Sequence, residues 1–191
     1  MRPFVLPLPV KFTAPPMPAL TTARLTLTPM SVDDAPFMLA LLNEPSWLRF
    51  IGDRGIRTLD QARTYIENGS VQSFARHGFG SFLVRLTATG TPIGTCGLYQ
   101  RDTLPATDIG FAFLSQFTGR GYAFEAATAI MAHGRTDLGL KRILAITSPD
   151  NTASIKLLTK LGLRFDQMIS LAADRAEVRL FTTEPPPTTD T

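Results

Sequence analysis

The sequence predicts an α/β fold in which a mixed sheet carries helices on both faces. Three observations predict it. Strand-like and helix-like segments alternate between residues 24 and 183, and such alternation buries one face of each element against a layer of the other kind. A strand-like run, Thr107 to Leu114, passes through a glycine turn into a helix-like run, Tyr122 to Leu138. Hydrophobic residues make up 44% of the 191 residues, which suits one domain with a substantial core.

The elements follow in order. Arg24 to Thr28 alternates as a strand, with Leu25 and Leu27 on one face. Ser31 is placed to cap a helix from Val32 to Leu42, with Pro36 near its first turn, where proline is best tolerated. Trp47 to Gly55 reads as a loop with two aromatics, two arginines and two glycines. Thr58 caps a second helix from Leu59 to Phe74. Gly80 to Thr87 and Pro92 to Gln100 form a hairpin around Ala88-Thr89-Gly90. In the next strand Ile109, Phe111 and Phe113 share one face, while Asp108, Gly110 and Ala112 share the other. The second face is small apart from its carboxylate and leaves room beside the strand. Residues 138–143 lead into a further strand. Asp150 or Asn151 caps the last major helix, which Gly162 ends. Residues 164–171 and 176–183 make a closing strand pair.

The flanks read differently. Residues 1–19 hold six prolines and two charges and are expected to be an extended tail. Pro3, Pro7 and Pro9 interrupt any signal-peptide core, and Met17 offers an alternative start. Residues 184–191 are expected to be a disordered tail. The domain therefore spans 20–183. The apolar runs are too short to span a bilayer, so no membrane partner is expected. The net charge of +3 suits an anionic cofactor but is too small and scattered to argue for nucleic acid. The single cysteine, Cys96, excludes an intrachain disulfide and suits the cytoplasm, and its strand position suits a buried small hydrophobe. No Cys/His cluster has metal-ligand spacing, so no metal is expected. His77 reads as part of a turn and His133 as packing on its helix or meeting solvent.

Gln116-Phe117-Thr118-Gly119-Arg120-Gly121-Tyr122-Ala123 is the stretch that speaks to chemistry. Free N–H groups at a helix start point outward, and the helix dipole favours negative charge there. Gly119 and Gly121 can take positive φ and let a phosphate approach the backbone. No window supplies the P-loop pattern G-x-x-x-x-G-K-[ST]. The dinucleotide fingerprint starts at Gly119 but meets Phe124 where its third glycine should stand. The pattern Q/R-x-x-G-x-G/A fits at every fixed position. A plain strand-to-helix turn is the alternative.

That stretch resembles the coenzyme A pyrophosphate loop of the Gcn5-related N-acetyltransferases (GNAT superfamily). The resemblance extends to Thr22-Ala23-Arg24-Leu25-Thr26-Leu27, Phe50 to Gly55, Pro92 to Leu98, Thr107 to Leu114, Leu138 to Ile143 and Asn151 to Leu163, in order. It is strongest toward the ribosomal-protein N-terminal alanine acetyltransferases. It implies the GNAT fold, a mixed, mostly antiparallel sheet of six to seven strands. It also implies acetyl-CoA as cosubstrate and direct transfer to a primary amine, without protein nucleophile or metal.

The family's roles carry over residue by residue. Phe111 to Phe113 are the backbone partners of pantetheine. Gln116 and Thr118 to Ala123 hold the pyrophosphate, with Arg120 as a possible added charge. Glu125 is expected to point away from the phosphate and to bond locally. Asn151 and Ser154 match an N-x-x-S spacing that puts both on one helix face. Ser154 is the candidate partner of the thioester sulfur, and Asn151 has a second reading as helix cap. Asp108 is the candidate base, acting through a bridging water because aspartate is shorter than the usual glutamate. Trp47, Phe50, Asp53 and Arg54 are candidates for the amine acceptor, with Trp47 and Phe50 alternatively core anchors and Asp53 and Arg54 alternatively partners of each other. Leu158 stands where many family members place a tyrosine acid. That departure keeps open a non-catalytic acyl-CoA-binding protein of the same fold. A nucleotide-binding oxidoreductase module is the more distant rival. Family members are often homodimers. The acceptor, a protein N-terminus or a small-molecule amine, is not chosen by the sequence.

Overall fold

The computed structural model describes residues 19–172 and 176–184. The two expected tails and the alternative start at Met17 lie outside those residues, save for Ala19 and Glu184 at the tails' inner ends. One sheet of eight strands organises the chain: β1 (Leu20–Thr21), β2 (Leu25–Pro29), β3 (Ser81–Leu86), β4 (Pro92–Tyr99), β5 (Asp108–Phe113), β6 (Leu144–Thr147), β7 (Arg164–Ile169) and β8 (Val178–Thr182). Their spatial order is β1-β2-β3-β4-β5-β6-β8-β7. Every neighbouring pair is antiparallel except β5 with β6. The expected mixed sheet is present with one strand more than the expected six to seven. The extra strand is β1, folded back on β2 by a Thr22–Leu25 turn in which the Thr22 N–H donates to the Leu25 carbonyl at 2.9 Å.

The helices adjust the expected boundaries for local reasons. The helix expected from Val32 begins as a 3₁₀ turn, Val32–Asp34, and becomes α1 (Ala35–Leu42) as Pro36 sets its own helical start. The expected loop from Trp47 opens inside a short helix, α2 (Pro45–Phe50), again started by a proline. α3 (Leu59–Ile66) begins with the expected cap: Thr58 and Gln61 satisfy each other's backbone N–H at 3.3 and 3.0 Å. It continues through a π-helical turn, Glu67–Val71, into α4 (Gln72–His77). α5 (Tyr122–Thr136) and α6 (Thr152–Lys160) complete the set.

Two apolar layers sandwich the sheet. On one face Leu27, Phe82, Ile109 and Phe113 pack with Ile130 of α5 and Leu158 of α6. On the other, Leu41, Trp47 and Ile66 from α1 to α3 pack with Ala112 and Leu114. A third, smaller cluster joins Leu104, Leu144 and Leu180. Cys96 is fully buried, and burial pushes its thiol up. Gly97 marks a close crossing, because a Cβ there would stand 2.2 Å from the Gly80 carbonyl oxygen. His133 is buried under the Phe82 ring and bonds Asp137 at 2.6 Å, so it packs and does not meet solvent.

Candidate active site

The parallel contact between β5 and β6 is confined to one register pair, Asp108 with Leu144. The Leu144 N–H donates to the Thr107 carbonyl at 2.9 Å. Beyond that point the strands part, so the sheet opens as a fork with Asp108 at its closed end. The direction of the free backbone groups follows from the register. The Leu114 N–H donates to the Ile93 carbonyl, and the ladder aligns Gly94 with Phe113 and Thr95 with Ala112. In an antiparallel pair, hydrogen-bonded and non-hydrogen-bonded positions alternate. Ala112 and Gly110 therefore spend their backbone groups on β4, and Phe111 and Phe113 turn theirs into the fork. Of the three residues expected to meet pantetheine through backbone, Ala112 does not face the gap. The room expected over Gly110 is also filled: a Cβ there would come within 2.9 Å of the Tyr99 ring.

The open end of the fork carries the glycine turn and the start of α5. Gly119 and Gly121 both have positive φ, 75° and 81°. Gly121 is the N-cap of α5, whose first backbone bond runs from the Glu125 N–H to the Gly121 carbonyl at 3.0 Å. The N–H groups of Gly119, Arg120, Gly121, Tyr122 and Ala123 therefore donate to nothing among the described residues and face outward. Gln116 and Thr118 border this turn, and the Thr118 hydroxyl donates to the Ser115 carbonyl at 2.8 Å. Arg120 stacks on Phe117, with 6.0 Å from guanidinium to ring centre.

Arg24, a residue the sequence does not single out, braces this turn. Its Nη1 donates to the Arg120 carbonyl at 3.1 Å, its Nε meets Glu125 at 2.7 Å, and its guanidinium lies 4.5 Å over the Tyr122 ring. Glu125 also accepts from the Thr22 hydroxyl at 2.6 Å and the Arg24 N–H at 2.9 Å. Its partners come from the turn between β1 and β2, a hundred residues earlier, and not from nearby as expected. Burial pushes its carboxyl up, and the hydrogen bonds from Thr22 and Arg24 outweigh this and hold it below the usual range.

The other prong leads into α6. Asn151 caps it, its side-chain oxygen accepting the Ser154 N–H at 3.1 Å. The Ser154 hydroxyl is half-buried and bonds nothing among the described residues, unlike that of Thr159, which donates to the Ile155 carbonyl. Leu158 points into the main core. α2 and the turn before it touch both prongs: Ser115 donates to Glu44 at 2.6 Å, and Arg49 meets Asp150 at 3.0 Å.

Asp108 is 1% exposed at the closed end. Its Oδ1 accepts from Arg101 Nε at 2.8 Å, while Oδ2 is buried without a partner among the described residues. Burial pushes its carboxyl above the usual range, against the pull of Arg101. Tyr99, directly across the ladder, donates to the Ser81 hydroxyl at 3.1 Å. Burial raises the phenols of both Tyr99 and Tyr65, and Arg54 and Arg101 oppose it at Tyr65. Tyr99 and Arg101 thus stand beside the candidate base, with Tyr65 near Arg101, and none of the three is singled out by the sequence. A signal existed for Arg101: pairing residue 99 with 108 in a hairpin brings it beside Asp108.

The acceptor candidates divide. Trp47 is 8% exposed and belongs to the core under α1 and α3, so the anchor alternative describes it and a substrate contact does not. Phe50 is half-buried beneath the Arg49 guanidinium at 4.8 Å. Asp53 does not pair with Arg54. It bonds Arg57 at 2.6 Å and the Gly55 N–H at 2.8 Å. Arg54 is exposed and has no ion pair among the described residues. A groove of about 600 Å³ is lined by residues that include Ile56, Asp60, Thr64, Tyr65 and Asn68. No cluster of three or more His, Cys, Asp or Glu side chains that could hold a metal occurs among the described residues. No helix there is long and apolar enough to cross a membrane.

Comparison with known proteins fits this geometry. The acetyltransferase (GNAT) domain model matches residues 24–164. An uncharacterized N-acetyltransferase, p20 of Bacillus licheniformis, is 30% identical over 155 residues, covering 80% of this chain and 86% of its own. Among solved structures, an acetyltransferase from Agrobacterium tumefaciens superposes with a TM-score of 0.74 at 24% identity, over 88% of this chain and 95% of its own. RimL, a ribosomal L7/L12 α-N-protein acetyltransferase solved with coenzyme A, superposes with a TM-score of 0.74 at 16% identity, over 86% of this chain and 97% of its own. With the family's domain model spanning most of the chain and a 30% identical relative beside it, the protein belongs to the GNAT acetyltransferase family.

Proposed function

We propose that the protein transfers an acetyl group from acetyl-CoA directly to a primary amine. The observation that carries this reading is the fork between β5 and β6, with free backbone groups of Phe111 and Phe113 along one prong and unpaired N–H groups of residues 119–123 at its mouth. Pantetheine is a chain of amides and pairs with a strand edge. Pyrophosphate suits a helix start. The acetyl carbonyl would then lie toward the closed end, where Asp108 Oδ2 takes the amine proton, directly or through water. Ser154, on the other prong, meets the departing sulfur. Phe50, Asp53 and Arg54 border the acceptor's approach.

The acceptor class sets how much base is needed. An α-amine of pKa ~7.8 is about 14% neutral at pH 7, and a lysine amine of pKa ~10.4 only about 1 part in 2,500. RimL's action on a ribosomal protein N-terminus makes peptide N-termini the first acceptors to try here, with small-molecule amines beside them.

The test is calorimetric titration of acetyl-CoA, with NAD as control, followed by coenzyme A release over an amine panel. Binding without turnover on any amine would favour the acyl-CoA-binding alternative that Leu158 motivates. No acetyl-CoA binding would overturn the transferase reading.

A further inference from the structure

We propose that Arg101 is the positioning residue of the candidate base: its guanidinium holds Asp108 Oδ1 and leaves Oδ2 as the oxygen that takes the proton. The inference rests on the transferase reading and goes one residue beyond it. A buried carboxylate needs a partner to stay ionised. Across the ladder on β4 stands Tyr99, whose hydroxyl is turned to Ser81. On β6 stands Leu144, which is apolar. Tyr65 of α3, a neutral phenol, lies near Arg101 and Arg54 and brings no charge. Among the described residues Arg101 alone brings a cation within hydrogen-bond reach, at 2.8 Å.

The placement of Arg101 is built in. The Leu104 N–H donates to the Arg101 carbonyl at 3.2 Å, and Leu104 is buried against Leu144 and Leu180. The Thr107 hydroxyl donates to Gln100 at 3.1 Å and closes the same loop. The guanidinium lies 5.5 Å over the Tyr99 ring. Backbone and guanidinium are both held, which narrows the rotamers open to the arginine. Occupation of Oδ1 by the guanidinium leaves Oδ2, which bonds nothing among the described residues, as the oxygen open to accept. Arg101 touches no reacting atom in this scheme and acts through Asp108.

The test is a ¹³C NMR titration of the Asp108 carboxyl in wild type, Arg101→Gln and Arg101→Lys, each with calorimetric acetyl-CoA binding as a check of the fold. Arg101→Gln is expected to raise the midpoint by about one pH unit or more, and Arg101→Lys by less. The acidic limb of kcat/KM for the best amine should move by the same amount. A midpoint unmoved in Arg101→Gln overturns the proposal. If that variant does not fold, Arg101→Lys decides, because loss of the Nε contact with the charge retained still predicts a measurable rise. Asp108→Asn tests the underlying reading separately. Undiminished turnover there sinks the base assignment, whereas an inactive Asp108→Asn beside an unmoved limb in Arg101→Gln sinks only the role of Arg101.

Discussion

At the C-terminal end of β5 the groups that face the fork are backbone groups: those of Phe111 and Phe113, then the N–H groups of residues 119–123. Its N-terminal end carries a side-chain cluster instead: Asp108 with Arg101 on it, Tyr99 across the ladder and Tyr65 near Arg101, drawn from β5, a loop, β4 and α3. The two ends respond to substitution by different rules. A backbone site tolerates most side chains and fails where a conformation or the local charge is spoiled. A side-chain site fails atom by atom. The first suits a cofactor that never varies. The second suits chemistry that must be tuned to one acceptor.

The largest expected effect falls on the side-chain end. Asp108→Asn keeps the shape and removes the base, so kcat should fall by about 10²–10⁴-fold while acetyl-CoA affinity holds. The acceptor decides where in that range the loss lies: toward the lower end for a peptide α-amine, toward the upper end for a lysine. In wild type the rate should rise with pH as Asp108 ionises. Because burial raises that carboxyl, the acidic limb should lie above the range of an ordinary aspartate. A pH–rate profile flat down to the ordinary range would break the comparison, because the closed end would then not be the chemical end.

The backbone end is tested by Gly121→Glu. Gly121 has a φ of 81°, with its missing Cβ 3.3 Å from Arg24 Nη2. Glutamate there meets strain and carries a negative charge into the proposed anion site. Acetyl-CoA binding should weaken by about 100-fold or more in calorimetry. An unchanged Kd would show that residues 119–123 do not hold the pyrophosphate.

This contrast explains what was legible in the sequence. The strand–glycine–helix passage is contiguous, and each of its parts has a local cause: alternation in 109–113, positive φ at Gly119 and Gly121, and a helix start at Tyr122. The closed end joins residues far apart in sequence, and only Asp108 was legible there, through a family resemblance. Tyr65 and Tyr99 look like ordinary core aromatics in a list of residues. Arg24 looks like a strand's first polar residue until Glu125 is folded against it. Trp47 shows the converse error, since an aromatic in an apparent loop suggested a binding surface and the chain buries it under α1. Pro45 starts a helix there, which puts Trp47 on the inner face.

A smaller effect separates the backbone site from its brace. Glu125→Ala removes the partner of Thr22 and Arg24. Its side chain is 18% exposed and that of Arg24 is 47% exposed, so the loss is about 1 kcal/mol after discounting for solvent. In a chain of this size that is a fall in Tm of roughly 2–4 °C. Acetyl-CoA should bind only a few-fold more weakly. The sign with pH follows from the lowered Glu125 carboxyl. The stabilisation is complete above the ordinary glutamate range and is lost as pH falls through the lowered value. Wild type and variant should therefore converge in acid. A gap in Tm that widens on acidification would rule out the ionised clamp.

The smallest effect is expected at Ser154. Its hydroxyl bonds nothing among the described residues, and it lies in the first turn of α6, where the helix start favours a developing thiolate without any proton transfer. Coenzyme A leaves as a thiolate of pKa near ~8.5, so water can protonate it after departure. Leu158 fits the same logic. It is 1% exposed and packs in the main core, so a tyrosine acid on that turn of α6 would have to displace core side chains. Ser154→Ala should accordingly lower kcat by less than about tenfold and leave the pH profile in place, which is the weak end of proton-transfer catalysis. If kcat instead falls a hundredfold and the alkaline limb moves, Ser154 is a proton donor. Both prongs of the fork would then carry side-chain chemistry, and the division between a backbone end and a side-chain end would hold for β5 but not for the site as a whole.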